Sequence, residues 1–131
     1  MKKIILAALT VLMMFAFVGC SGTLHDYVDP PPAGYWFYVD VGADTTSLIL
    51  NEAGGQTSDM TIDVSAGSVY YNYTGGSGCT VFEGANKPAS QIGRVWIVST
   101  LENFNAYYWG GTQKTDWPGD AVTKSEFVLE N

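Results

Sequence analysis

From Tyr35 onward, apolar and polar positions alternate along the chain with a period of two. Tyr35, Phe37, Val39 and Val41 alternate with Trp36, Tyr38 and Asp40, and Met60, Ile62 and Val64 with Thr61 and Asp63. Val69, Tyr71 and Tyr73 alternate with Tyr70 and Asn72, and Val95, Ile97 and Ser99 with Trp96 and Val98. Side chains on a strand point to opposite faces in turn, so this period places one set on a core. Gly54-Gly55, Gly67, Gly75-Gly76-Ser77-Gly78, Gly84 and Gly110-Gly111 break the runs and mark turns. The pattern predicts seven or eight strands, at about 35–41, 47–51, 60–64, 69–73, 79–83, 94–101, 103–109 and 122–129, and no long helix. Short strands at such spacing predict an all-β fold, an antiparallel β-sandwich with two sheets packed through alternating inward residues.

The first residues follow another rule. Lys2 and Lys3 precede an apolar run from Ile4 to Val18 that stops at Gly19-Cys20. The run is shorter than the roughly 20 residues a spanning helix needs, so residues 1–19 are expected to be a secretion signal. Phe17-Val18-Gly19-Cys20 resembles the lipobox of bacterial lipoproteins. The resemblance implies that Cys20 is lipidated and becomes the mature N-terminus, anchoring the chain to a membrane of the cell envelope. Ser21 after it is compatible with outer-membrane sorting, by similarity to lipoproteins generally. The alternative is an ordinary signal cleaved elsewhere. Residues 20–34, with Pro30-Pro31-Pro32, are expected to form an extended tether, leaving 35–131 as the domain.

Composition narrows the function. At 131 residues the chain is long enough for one domain. Loss of Lys2 and Lys3 takes its 6 basic residues to 4, against 13 acidic ones. Nucleic acid is therefore not an expected partner, since phosphate neutralisation needs clustered Lys and Arg. The single histidine, His25, lies in the tether, and two cysteines make no zinc cluster, so no metal or cofactor is expected. With Cys20 lipidated, Cys79 is expected to be a free thiol that fills apolar space on a strand. Thirteen carboxylates leave glycoside hydrolysis open as a chemistry, and Asp116 stands beside Trp117, but no pair is singled out. The chain is not expected to be an enzyme.

Residues 103–119 carry the candidate site. As a strand, this stretch puts Phe104, Ala106 and Tyr108 on one face, and Asn105, Tyr107 and Trp109 on the other. The first set suits a core. The second suits an open face, where neighbouring rings about 6.5–7 Å apart match the repeat of successive sugars. Trp117 follows a glycine turn and precedes Pro118-Gly119. Exposed rings held in this way suit sugars, whose C–H faces stack on aromatic planes. The competing readings are a buried aromatic pair and a self-association patch. Trp36 and Trp96 are better core candidates.

Asn105-Ala106-Tyr107-Tyr108-Trp109, followed by Trp117-Pro118-Gly119-Asp120-Ala121-Val122, resembles a stretch of starch-binding modules of the family 26 type, small β-sandwiches usually appended to amylases. Tyr35-Trp36-Phe37-Tyr38-Val39 and the segment from Ser47 through Gln56-Thr57-Ser58-Asp59-Met60 are similar to the same family's later strands. The two halves stand in exchanged order, so the resemblance implies a circularly permuted module or parts of two tandem modules. It further implies that Tyr107, Trp109 and Trp117 stack on glucose rings of an α-1,4-glucan, and that Asn51, Gln56 and Thr57 form a polar loop beside them, with Gln56 bonding sugar hydroxyls. Separate amylases or transporters are the implied partners. The alternatives are a structural surface lipoprotein with no sugar ligand and a fragment of a larger amylase-type glycoside hydrolase.

Overall fold

The computed structural model describes residues 34–126. The expected signal, lipidated Cys20 and tether lie outside the described residues, as does the end of the expected last strand. Among the described residues there are ten strands: β1 (Tyr35–Asp40), β2 (Ser47–Glu52), β3 (Gly55–Gln56), β4 (Met60–Thr61), β5 (Val69–Gly75), β6 (Gly78–Val81), β7 (Arg94–Ser99), β8 (Asn105–Trp109), β9 (Asp120–Ala121) and β10 (Thr123–Lys124). They build two five-stranded sheets. One runs β10-β1-β7-β5-β6; the other runs β3-β2-β8-β9, with β4 beside β3 on the same edge of β2. The class is all-β, a β-sandwich, as the alternation predicts.

The core between the sheets is the inward set of the alternation. Phe37, Val39, Val95, Ile97, Tyr71 and Tyr73 face Leu48, Leu50, Met60, Ala106, Tyr108 and Phe104, and all are buried. Trp36 and Trp96 are buried too, but they stand on the opposite faces of β1 and β7. There they form a second core with Tyr70, Phe82 and Val98 on the outside of the first sheet. The rings meet edge to face: Trp36 lies 5.3 Å from Phe82 at 82° and 6.2 Å from Trp96 at 90°, an arrangement the ring quadrupoles favour.

Two expectations need correction. The sandwich is not wholly antiparallel, because β5 and β7 pair in parallel, with Tyr71 opposite Ile97. A parallel pair needs a long crossover, and here residues 82–93 carry the chain from the sheet edge at β6 back to a place between β1 and β5. That crossover brings Phe82 into the outer core, and its Pro88 carbonyl accepts the buried Tyr70 hydroxyl at 2.8 Å. The second correction is Cys79. It is buried, as expected of a core filler, but it is disulfide-bonded rather than free. Assigning the chain's other cysteine, Cys20, to lipid had left it no partner in the sequence.

Residues 57–59 interrupt the edge of the second sheet. Gln56 pairs with Asn51, yet Met60 pairs with Leu48, so one extra residue lies between them and the side-chain alternation inverts. Thr57 fills the break. Its N–H donates to the Leu50 carbonyl at 2.9 Å, and its hydroxyl accepts the Leu50 N–H at 3.1 Å.

Trp36→Ala is expected to lower unfolding free energy by about 3–5 kcal/mol, as loss of a large buried ring does. Urea denaturation checks this, and a change under 1 kcal/mol would contradict the outer core's weight.

Candidate functional site

The candidate face is the outside of the second sheet. Ile49 stands opposite Tyr107, Ser47 opposite Trp109, and Asn51 opposite Asn105. Directly opposite residues share a face about 4.5–5.5 Å apart. Since Leu48, Leu50, Ala106 and Tyr108 point into the core, this second set points out. Ile49 is nonetheless only 6% exposed.

Tyr107, Trp109 and Trp117 come together on this face. Tyr107 and Trp109 have ring centroids 5.0 Å apart and planes inclined at 38°. Trp117 reaches Tyr107 at 5.1 Å and 78°, nearly edge-on. The 5.0 Å separation is shorter than the strand repeat because the two rings lean towards each other. The result is a contiguous aromatic row with a bend at Tyr107. Trp117 is 53% exposed, among the most exposed large apolar side chains described; Tyr107 and Trp109 are half-buried.

Trp117 belongs to a loop folded back onto the strand that precedes it. Thr115 N–H donates to the Tyr108 carbonyl at 3.1 Å, and Tyr108 N–H donates to the Thr115 hydroxyl at 3.1 Å. Gly119 N–H closes a turn on the Asp116 carbonyl at 2.7 Å, with Trp117 and Pro118 at its centre. Gly119 has φ +101°, and a Cβ there would collide with the Ala106 carbonyl, so only glycine lets the loop lie this close to β8. The start of the loop is tied down as well: Thr112 donates to Asp44 Oδ2 from its N–H at 2.9 Å and its hydroxyl at 2.6 Å.

The polar residues divide. Gln56 is exposed and shares the outer face, in one cross-strand row with Asn51 and Asn105. Asn51 and Thr57 are buried, at 8% and 1% exposure. Asn51 Nδ2 donates to the Pro118 carbonyl at 2.7 Å, and the Thr57 hydroxyl is held in the β2 ladder. Geometry therefore gives these two internal partners, whereas the resemblance implied sugar contacts. Asn105, read only as a face residue, donates from Nδ2 to the Gly119 carbonyl at 2.9 Å. No signal in the sequence pairs either asparagine with the loop, because the pairing depends on tertiary approach. Among the described residues, no group of three or more His, Cys, Asp or Glu side chains is placed to hold a metal ion.

No family model matches the chain, and neither the curated proteins nor the solved structures contain a match.

The Thr112 bonds hold the Asp44 carboxyl below its usual range. A lowered folded-state pKa contributes stability above the unfolded value near 3.8, and that stability is lost as pH falls through the folded value. Asp44→Asn is therefore expected to lose less stability than the wild type between pH 6 and pH 3, measured by thermal melts across the series. Equal losses would contradict the tie.

Proposed function

We propose that this domain is a non-catalytic module that binds α-1,4-glucan by aromatic stacking. The observation that carries the reading is the meeting of Tyr107, Trp109 and Trp117 in one solvent-accessible row. The Trp117 indole stays exposed beside Tyr107, and a sugar's C–H face gains contact from such a surface. The bend supports a coiled glucan over a flat one. Ribbons of β-1,4-linked glucose suit coplanar rings, while an α-1,4 chain turns as it extends and presents successive faces at an angle. Gln56, exposed on the same face, is the side chain we assign to the sugar hydroxyls. The resemblance to starch-binding modules points the same way, and β2 and β8 pairing in one sheet is compatible with the permuted arrangement it implies.

The energetics suit a weak binder. Burial of roughly 100–150 Å² of ring surface at about 25 cal/mol/Å² is worth about 3 kcal/mol. Each hydrogen bond exchanged with water adds about 1 kcal/mol. A Kd between about 1 mM and tens of micromolar follows. Titration calorimetry with maltoheptaose tests this. Trp117→Ala and Trp109→Ala are each expected to remove about 1–2 kcal/mol of binding, with Tm nearly unchanged for the exposed Trp117. Absence of binding by the wild type, or unfolding in place of lost affinity, would return these rings to packing.

The envelope anchor is a second part of the proposal, carried by Lys2, Lys3, the apolar run and Gly19-Cys20. Cys20→Ala is expected to abolish partitioning into detergent. A variant that still partitions like the wild type would remove the anchor.

A further inference from the structure

We infer that Asn51 and Asn105 are positioning residues which preform the aromatic row by holding Trp117 against Tyr107 before any ligand arrives. The inference rests on the proposed reading of the face as a sugar site. The backbone around Trp117 explains why side chains are needed. Pro118 has no N–H, and the Gly119 N–H is already spent inside the turn on Asp116. The segment therefore has mainly carbonyls to offer the sheet. Strand N–H groups point along the sheet plane towards neighbouring strands, so an outward donor has to come from a side chain. Asn51 and Asn105 are opposite one another on adjacent strands and supply two such donors, to consecutive carbonyls, at 2.7 and 2.9 Å. The two bonds tie residues 118 and 119 to two strands at once. That holds the backbone next to Trp117, whose ring lies 5.1 Å from Tyr107.

Asparagine is required at these positions for its N–H. Aspartate has nearly the same shape, but when ionised it only accepts, and it would face a carbonyl oxygen. Asn105→Asp therefore removes the donor while keeping the packing. Asn105 is the better test position because it is less buried than Asn51. A site whose competent state is only partly populated binds more weakly by that fraction. Release of Trp117 from one tie is expected to weaken maltoheptaose binding about three- to tenfold.

The experiment uses the protein labelled with 5-fluorotryptophan, whose four indoles are assigned by replacing each in turn. In Asn105→Asp, and in Asn105→Ala as a second variant, the ¹⁹F signal of Trp117 is expected to move towards its solvent-exposed value, while the Trp36 and Trp96 signals stay in place. The maltoheptaose Kd is expected to rise by the factor given, with little change in Tm. An unmoved Trp117 signal overturns the positioning role, whatever the sugar data show. A moved signal with unchanged Kd overturns preorganisation as a contribution to binding. A wild type that binds no maltoheptaose, with Trp117 still released by the variants, overturns the sugar reading and upholds the tie.

Discussion

The register of β2 against β8 is the constraint on which the rest depends. With Leu50 opposite Ala106 and Ile49 opposite Tyr107, every second residue of both strands enters the core and the others line one outer face. A slip of one residue on β8 would drive Tyr107 and Trp109 into the sandwich and expose Ala106 and Tyr108. The same register sets Asn51 beside Asn105 under the Trp117 loop. Folding and recognition thus share a single alignment.

The first sheet solves a different problem. Its inner face meets the second sheet, but its outer face carries Trp36, Trp96, Tyr70 and Val98, too much apolar surface to leave in water. The 82–93 crossover covers it with Phe82 and the Pro88 carbonyl. Arg94 closes one end, pairing with Asp40 at 2.7 Å while its guanidinium lies 3.9 Å from the Tyr38 ring centroid. β1 and β7 are consequently buried on both faces, which is unusual in an antiparallel sandwich and expected of strands beside a parallel pair. The two outer faces thereby differ in kind: one is roofed by its own chain, and the other leaves its rings accessible.

Most strands were legible because alternation is a local signal. β1, β2, β5, β7 and β8 fall within one or two residues of their expected places, and the inward sets of β1, β5, β7 and β8 match their periods. What period two does not encode is which strand lies beside which. The parallel β5–β7 pair and its crossover follow from packing Trp36 and Trp96 away from water, a tertiary demand with no sequence spacing of its own. The expected strand at 60–64 shortens to Met60–Thr61, although Ile62 and Val64 stay buried. Tyr107 and Trp109 could be placed on one face from their spacing alone. Trp117 joining them was suggested by the Pro-Gly that follows it. The internal roles of Thr57 and Asn51 were hidden, because a one-residue bulge and a returning loop decide them.

The wiring of the sheets bears on when this chain is able to fold. β1 and β2 follow each other in sequence but belong to different sheets, and each finds its main partner only at residues 94–109. A nascent chain that has emerged as far as β6 holds one hairpin, β5–β6, and the short edge pairs of β2, but neither sheet's centre. Two-stranded hairpins alone are marginal in water. Both sheets therefore gain their centres only once residues 94–109 are available, and pairing of this non-local kind is slow.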